Sequence, residues 1–287
     1  MDVIESGPKL RAQLDEARAA GRTVGFVPTM GALHDGHLSL VRRAREETDV
    51  VALSIFVNPL QFGDPSDLAS YPRLMERDLR LAENHGVDVA FTPSEAEMYP
   101  NGEPEVVVHV GPIGDRLEGA SRPGHFDGVA TVVTKLFNLA GPCTAYFGQK
   151  DAQQLAVIRR MVADHDVPVT VAGCETVREP DGVAMSSRNL RLTDEQRAAA
   201  PCLYRALAYA ERLVREEEPD ARVLKAEMAK RIAVEPLARL DYVAVVDDAT
   251  FEEVDRISAP ARALVAARFG EIRLIDNLAL PHEGGHS

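Results

Sequence analysis

Apolar and polar residues alternate along this chain with two different periods, and the changes of period mark out its elements. In residues 9–20, Leu10, Leu14 and Ala17 fall on one helical face, which predicts an amphipathic helix. Residues 23–27 and 50–57 are short apolar runs that read as strands. The second is almost continuously apolar, as expected of a strand covered on both sheet faces. Residues 72–85 read as a helix stopped by Gly86, and residues 87–91 as a strand. Residues 105–110 read as another strand, 129–140 as a helix, 144–147 as a strand, 151–164 as a helix and 167–172 as a strand. Strands alternating with helices predict an α/β fold on a doubly wound parallel sheet, with ligands gathered at the carboxyl ends of the strands.

The rhythm changes near Val177. Residues 193–217 read as a helix, with Thr193 as N-cap and Gln196 at the capping-box position. Residues 220–233 read as a further helix, followed by strand-like runs at 242–246, 261–267 and 272–280. Helices followed by strands predict a separate, smaller α+β domain. The expected division is residues 1–176 and 177–287, with residues 177–188 serving as both hinge and site. The Gly284-Gly285-His286 tail reads as frayed.

A length of 287 residues suits one large domain or two moderate ones. The 32 Lys and Arg against 45 Asp and Glu leave a net charge of −13, which argues against nucleic acid or an anionic membrane as partner. A few local cations still suffice to bind a small anionic ligand, because distant charge is screened by salt. The three cysteines, Cys143, Cys174 and Cys202, form no C-x-x-C pair, which points to packed thiols in a reducing cytoplasm. Residues 1–10 lack the apolar core of a signal peptide. The longest apolar run, residues 50–57, is interrupted by Ser54 and falls far short of the roughly 20 residues that span a bilayer.

The most informative segment is Pro28-Thr29-Met30-Gly31-Ala32-Leu33-His34-Asp35-Gly36-His37. It follows a predicted strand and enters residues 38–44, where Leu38, Val41 and Ala44 recur at helical spacing. A glycine-punctuated turn at that place presents backbone N–H groups at a helix N-terminus, where they and the helix dipole attract phosphate. His34 and His37 flank the turn and can face one bound anion. Polar clusters follow two later predicted strands: Asn58 to Gln61 with its amides, and Gly148-Gln149-Lys150-Asp151-Ala152-Gln153-Gln154. A fourth, Met185-Ser186-Ser187-Arg188-Asn189, lies at the domain junction. Neither a P-loop nor an H-E-x-x-H metal motif occurs.

Taken in order, with Tyr71-Pro72-Arg73 and the ending Leu274-Ile275-Asp276-Asn277, these segments resemble the pantothenate synthetase family over about residues 21–280. The resemblance implies a Rossmann-like amino-terminal domain of the HxGH nucleotidyltransferase type, and a homodimer. It implies ATP-dependent condensation of (R)-pantoate with β-alanine, giving pantothenate, AMP and diphosphate. Implied ATP contacts are Met30, Gly31, Ala32, Leu33, His34, Asp35, Gly36 and His37, then Gly148, Gln149, Lys150 and Asp151, then Val177, Met185, Ser186, Ser187 and Arg188. His37 is the implied proton donor. His34, Lys150, Ser186, Ser187 and Arg188 are suitable donors to offset phosphate charge. Gln61 is implied to hold pantoate and β-alanine and Gln154 to hold pantoate, with Asn58, Tyr71 and Arg122 as further substrate contacts. Mg²⁺ is expected on the ATP phosphates, with Asp78 a candidate to hold it through water. Asp35 stands where the family commonly has Glu, and Ala152 and Arg191 stand where aromatic residues are common.

Each signal alone has a plainer reading. Lys150-Asp151 reads as a helix-start charge pair, Ser186-Ser187-Arg188 as a loop, Gln61 as an amide satisfying a strand end, and Asp78 as a solvated helix residue. Their joint presence and order carry the functional reading. Two alternatives stand beside it: another HxGH-type nucleotidyltransferase, and a nucleotide-binding partner without catalysis. The amides of Asn58, Gln61 and Gln154 argue against the first, and the retention of His37, Lys150, Ser186, Ser187 and Arg188 against the second.

Overall fold

Apolar runs can be buried only if their backbone N–H and C=O groups are paired, and a parallel sheet pairs them here. The computed structural model describes residues 1–63 and 65–282; the Gly284-Gly285-His286 tail lies outside the described residues. The chain divides into two compact units, one of Met1–Gln149 with Gln153–Glu175, the other of Lys150–Ala152 with Thr176–Ser287.

In the first unit the elements run β1 (Asp2–Ile4), α1 (Gly7–Ala19), β2 (Val24–Thr29), α2 (Asp35–Glu47), β3 (Val50–Ile55), α3 (Pro65–Ser70), α4 (Met75–Asn84) and β4 (Val89–Phe91). They continue with α5 (Glu95–Met98), α6 (Glu118–Ser121), α7 (His125–Ala140), β5 (Cys143–Gly148), α8 (Ala152–Asp164) and β6 (Val169–Cys174). The six strands form one parallel sheet in the order β1-β4-β3-β2-β5-β6. Alternate residues of β2 and β3 point to opposite faces, and both faces are covered. Phe26, Val50 and Ala52 pack with α1 and α7, whereas Val27, Val51 and Leu53 pack with α2.

Winding reverses between β2 and β5, which is the topological switch point where such sheets bind ligands. Pairing between these two strands is confined to Gly25 with Thr144 and Phe26 with Ala145. Val27 to Thr29 therefore have no ladder partner on β5, and the carboxyl ends on either side of the switch lead into the histidine turn and into Gly148-Gln149.

The second unit has α9 (Asp194–Ala199), α10 (Cys202–Arg215), α11 (Ala221–Ala233), β7 (Arg239–Asp247), β8 (Ala261–Phe269) and β9 (Ile272–Leu280). The strands form an antiparallel sheet, β7-β8-β9, one face of which packs Ala263, Val265 and Leu274 against Leu207, Leu224 and Met228 of the helices. No helix among the described residues is long and apolar enough to cross a membrane.

Three expectations need correction. Residues 105–110 form no strand: Val108 N–H donates to Thr131 Oγ1 at 2.9 Å and Val110 N–H to Asp127 Oδ1 at 2.7 Å, so side chains of α7 take the hydrogen bonds a ladder would have used. The single helix expected over 193–217 is two, α9 and α10, interrupted at Ala200–Pro201, where proline supplies no N–H. The Thr193–Gln196 capping box that opens α9 is formed as expected. The helix expected from residue 72 begins at Met75, beyond Pro72.

Helix α7 approaches the segment after β3 unusually closely because it carries Gly128. A Cβ there would lie 2.4 Å from the Leu60 carbonyl oxygen and 2.7 Å from the Gln61 nitrogen. Gly128→Ala is therefore expected to cost about 1–3 kcal/mol through overpacking, read by denaturant unfolding. Unchanged stability would mean that the two backbones are not in contact in solution.

Candidate active site

The histidine segment is a built turn. Gly31 and Ala32 both have left-handed backbone, with φ of 79° and 49°. Glycine takes this freely, but for alanine it costs about 1–2 kcal/mol. The turn is held by Asp78 of α4, whose side chain is only 1% exposed. Its Oδ2 accepts the Ala32 N–H at 2.7 Å and its Oδ1 the Leu33 N–H at 2.8 Å. A Cβ on Gly31 would sit 3.0 Å from the same carboxylate, a second reason for glycine there. Arg77 donates to the Leu33 carbonyl at 3.1 Å, and Thr29 Oγ1 donates to the Ser54 carbonyl at 2.7 Å while accepting the Gly31 N–H at 3.2 Å.

This changes the expected reading in two ways. Asp78 is a buried clamp, not a solvated helix residue. The N–H groups of Ala32 and Leu33 already have a carboxylate partner, so phosphate attraction falls to the α2 N-terminus itself. Residue His34 is its N-cap, no side chain caps it, and Asp35 and Gly36 form its first turn. The first N–H groups of a helix have no intrahelical acceptor and carry its positive dipole end. The His34 and His37 rings stand with centroids 4.1 Å apart, so both imidazoles reach one small region beside that terminus.

A second cluster follows β3. Gln61 is buried; its Oε1 accepts Asn58 Nδ2 at 3.1 Å, and its Nε2 lies 3.2 Å from the Met30 sulfur. A thioether is a weak acceptor, so this N–H is readily given to a better oxygen. The Gln61 carbonyl accepts from His125 Nδ1 at 2.9 Å and Arg122 Nη2 at 3.2 Å. Asn58 is fully engaged: besides Gln61 it donates to the Gly128 carbonyl at 3.1 Å, and its Oδ1 accepts Tyr99 Oη at 2.7 Å. Burial pushes the Tyr99 phenol up, which keeps it the donor in that bond. Tyr71 is buried edge-on against Phe62, with centroids 5.7 Å apart. Of the two adjacent glutamines opening α8, Gln153 is consumed internally, donating to the carbonyls of Ile113 and Arg116 at 2.8 Å each. Gln154 keeps part of its surface in solvent.

In the other unit, Lys150 is mostly buried and its Nζ lies 3.3 Å from Asp151 Oδ1. Val177 and Met185 are joined by a backbone hydrogen bond of 3.0 Å, closing a hairpin in which Arg178 pairs with Ala184. Ser186, Ser187 and Arg188 follow, with Ser186 Oγ accepting the Arg188 N–H at 3.2 Å. Arg178 forks onto Asp276 of β9 at 2.6 and 3.0 Å. Burial pushes the Asp276 carboxyl up, and the Arg178 guanidinium pulls against that shift.

The family model for pantoate-beta-alanine ligase matches residues 2–279. The chain belongs to the pantoate-beta-alanine ligase family. A pantothenate synthetase of Heliobacterium modesticaldum is 53% identical over 280 residues, covering 98% of this chain and 99% of the relative. A crystal structure of pantothenate synthetase from Thermus thermophilus superposes with a TM-score of 0.92 at 48% identity, over 98% of this chain and 100% of that one. A pantoate-beta-alanine ligase of Francisella tularensis, crystallised with beta-gamma ATP and beta-alanine, superposes at 0.79 with 34% identity, over 97% of each chain.

Sequence reading of this ligase missed the supporting residues. From sequence Asp78 reads as a metal candidate, and Tyr99, Arg178 and Gln153 show no role of their own, because a lone polar residue carries no sign of burial. For Asp78, Asn has a single acceptor oxygen for two N–H donors, and an orphaned buried donor costs about 1–3 kcal/mol. Asp78→Asn is expected to lower unfolding free energy by that amount and to leave the Mg²⁺ concentration for half-maximal turnover unchanged. A raised Mg²⁺ requirement at unaltered stability would return Asp78 to the metal.

Proposed function

We propose that this chain condenses (R)-pantoate with β-alanine at the expense of ATP, through an enzyme-bound pantoyl adenylate. The observation that carries the reading is the His34–His37 pair beside the uncapped α2 N-terminus, at the switch point of the sheet. A carboxylate is a poor acyl donor. Its oxygen first attacks the α-phosphorus of ATP, the bond to the bridging oxygen breaks, and diphosphate leaves. The amine of β-alanine then attacks the acyl carbon, the C–N bond forms, the bond to AMP breaks, and the ammonium proton is lost to solvent.

Both steps need charge held on phosphate oxygens more than covalent help from the protein. In this reading His37 donates a hydrogen bond to a phosphate oxygen where negative charge grows, and His34 supports the same group. Lys150, Ser186, Ser187 and Arg188 offset the remaining phosphate charge. Met30 to Leu33, Asp35, Gly36, Gly148, Gln149, Asp151, Val177 and Met185 shape the nucleotide's surroundings. Gln61 turns its Nε2 from the Met30 sulfur to pantoate and later to β-alanine, while Asn58 holds it in place. Gln154 orients pantoate without fixing its carboxylate away from phosphorus. Arg122 fixes the Gln61 backbone, and Tyr71 walls the same region. Asp78 does not suit a metal: both its oxygens are committed to N–H groups and Arg77 Nη1 lies 3.7 Å away. Mg²⁺ enters on the ATP phosphates, as part of the substrate.

The proposal extends to the setting. The three free cysteines support a reducing, cytoplasmic compartment. Residues 177–287 act as a lid that excludes water from the adenylate, and the assembly is a homodimer, as the resemblance implies.

Pantoate and ATP without β-alanine should support isotope exchange between diphosphate and ATP. His37→Ala should slow that exchange by roughly 10²–10⁴-fold, the range of a positioned acid–base group. Exchange that requires β-alanine, or that survives the substitution undiminished, would contradict the adenylate route or the role of His37.

A further inference from the structure

Two successive strand residues point to opposite faces of their sheet, and on β9 those two residues are Asp276 and Asn277. Asp276 pairs in register with Val265 on the face covered by α10; Asn277 pairs with Leu264 on the other face. Both are 4% exposed. On the helix face, Asp276 takes the fork of Arg178, which is stacked 4.4 Å from the Tyr204 ring and also donates to the carbonyls of Gly182 at 3.0 Å and Asn277 at 3.1 Å. Arg178 belongs to the hairpin that leads directly into Ser186, Ser187 and Arg188. On the opposite face, Asn277 Nδ2 donates to the main-chain carbonyl of Lys150 at 2.8 Å.

The orientation of the Asn277 amide is dictated. Arg262 Nη1 lies 2.6 Å from its Oδ1, and a guanidinium only donates, so that atom must be oxygen. The NH₂ is then forced toward Lys150. Arg262 is itself fixed by Asp248, with Nε to Oδ1 at 2.6 Å. The chain Asp248–Arg262–Asn277–Lys150 carbonyl thus alternates donor and acceptor without a mismatch.

We infer that Asp276 and Asn277 are positioning residues for adenylation: one dipeptide, gripping on its two sheet faces the hairpin of the Ser186–Arg188 segment and the backbone of Lys150, sets both groups of phosphate-directed side chains from a single strand. The inference rests on the ligase reading above. It assigns Asn277 an effect only where diphosphate departs, because Lys150 offsets charge in that step and not after it.

Asn277→Asp tests this sharply. The side chain keeps its size and its Arg262 contact, but sets a carboxylate oxygen against the Lys150 carbonyl. Diphosphate–ATP exchange with pantoate should fall by about 10–100-fold, as a misplacement of the order of 1 Å would cause. Reaction of preformed pantoyl adenylate with β-alanine should stay within about twofold of wild type. In a Lys150→Ala background the same change should add nothing to the exchange defect, because residues acting through one another are not additive. Asn277→Ala, which removes the hold without adding charge, should show the same split. Equal losses in both half-reactions, a full independent loss in the Lys150→Ala background, or failure of both variants to fold would overturn the inference and leave Asn277 a stability residue. Wild-type protein that shows no pantoate-dependent exchange would overturn the ligase reading instead.

Discussion

The carboxylate of Asp78, buried against the N–H groups of Ala32 and Leu33, is the interaction on which the rest of the site depends. The chain must leave β2, reverse through two left-handed residues and enter α2 with both imidazoles on one side. Nothing in Ala32 itself favours that backbone. A negative group placed where the turn's amides converge does, and it does so before any ligand arrives. The turn is thus ordered in advance, and binding energy need not be spent on shaping it. On the proposed reading, the surface left to attract an anion is the first turn of α2 with His34 and His37, a smaller target than the whole loop.

The same separation between residues that hold and residues that present recurs through the molecule. Asn58 uses its amide on Gln61, Gly128 and Tyr99, and Gln61 Nε2 is left with one weak sulfur contact. Gln153 braces the chain around Ile113 and Arg116, and Gln154 beside it retains exposure. Asn277 accepts from Arg262 and donates to the main-chain carbonyl of Lys150. In each pair the holding member has its hydrogen bonds satisfied by the protein, which is what makes burial of a polar group tolerable. Such residues confer precision on their neighbours by holding them in place.

Much of this was legible in the amino-acid sequence. The runs of β2 and β3 declared themselves by near-continuous apolar character, the Leu10–Leu14–Ala17 face of α1 by its period, and the capping box at Thr193 by its spacing. The histidine segment declared its place after a strand and before a helix. What stayed hidden depended on partners distant in the chain. Residues 105–110 look like a strand, yet Thr131 and Asp127 of α7 claim their amides. Strand β1 has only three residues, too few for a period to show. Asp78 lies 46 residues from Ala32, and no local pattern reveals that a charged residue in an amphipathic helix is buried. Pro201 announced a break that the helical period on either side concealed.

The most direct measurement is amide hydrogen exchange, residue by residue, in the protein without nucleotide. If the Asp78 carboxylate orders the turn in advance, the amides of Ala32 and Leu33 will exchange as slowly as those in the centre of β3, and saturating ATP will change them little. Fast exchange of both amides in the free protein, with protection appearing only when ATP is added, would contradict that ordering and return those N–H groups to the phosphate.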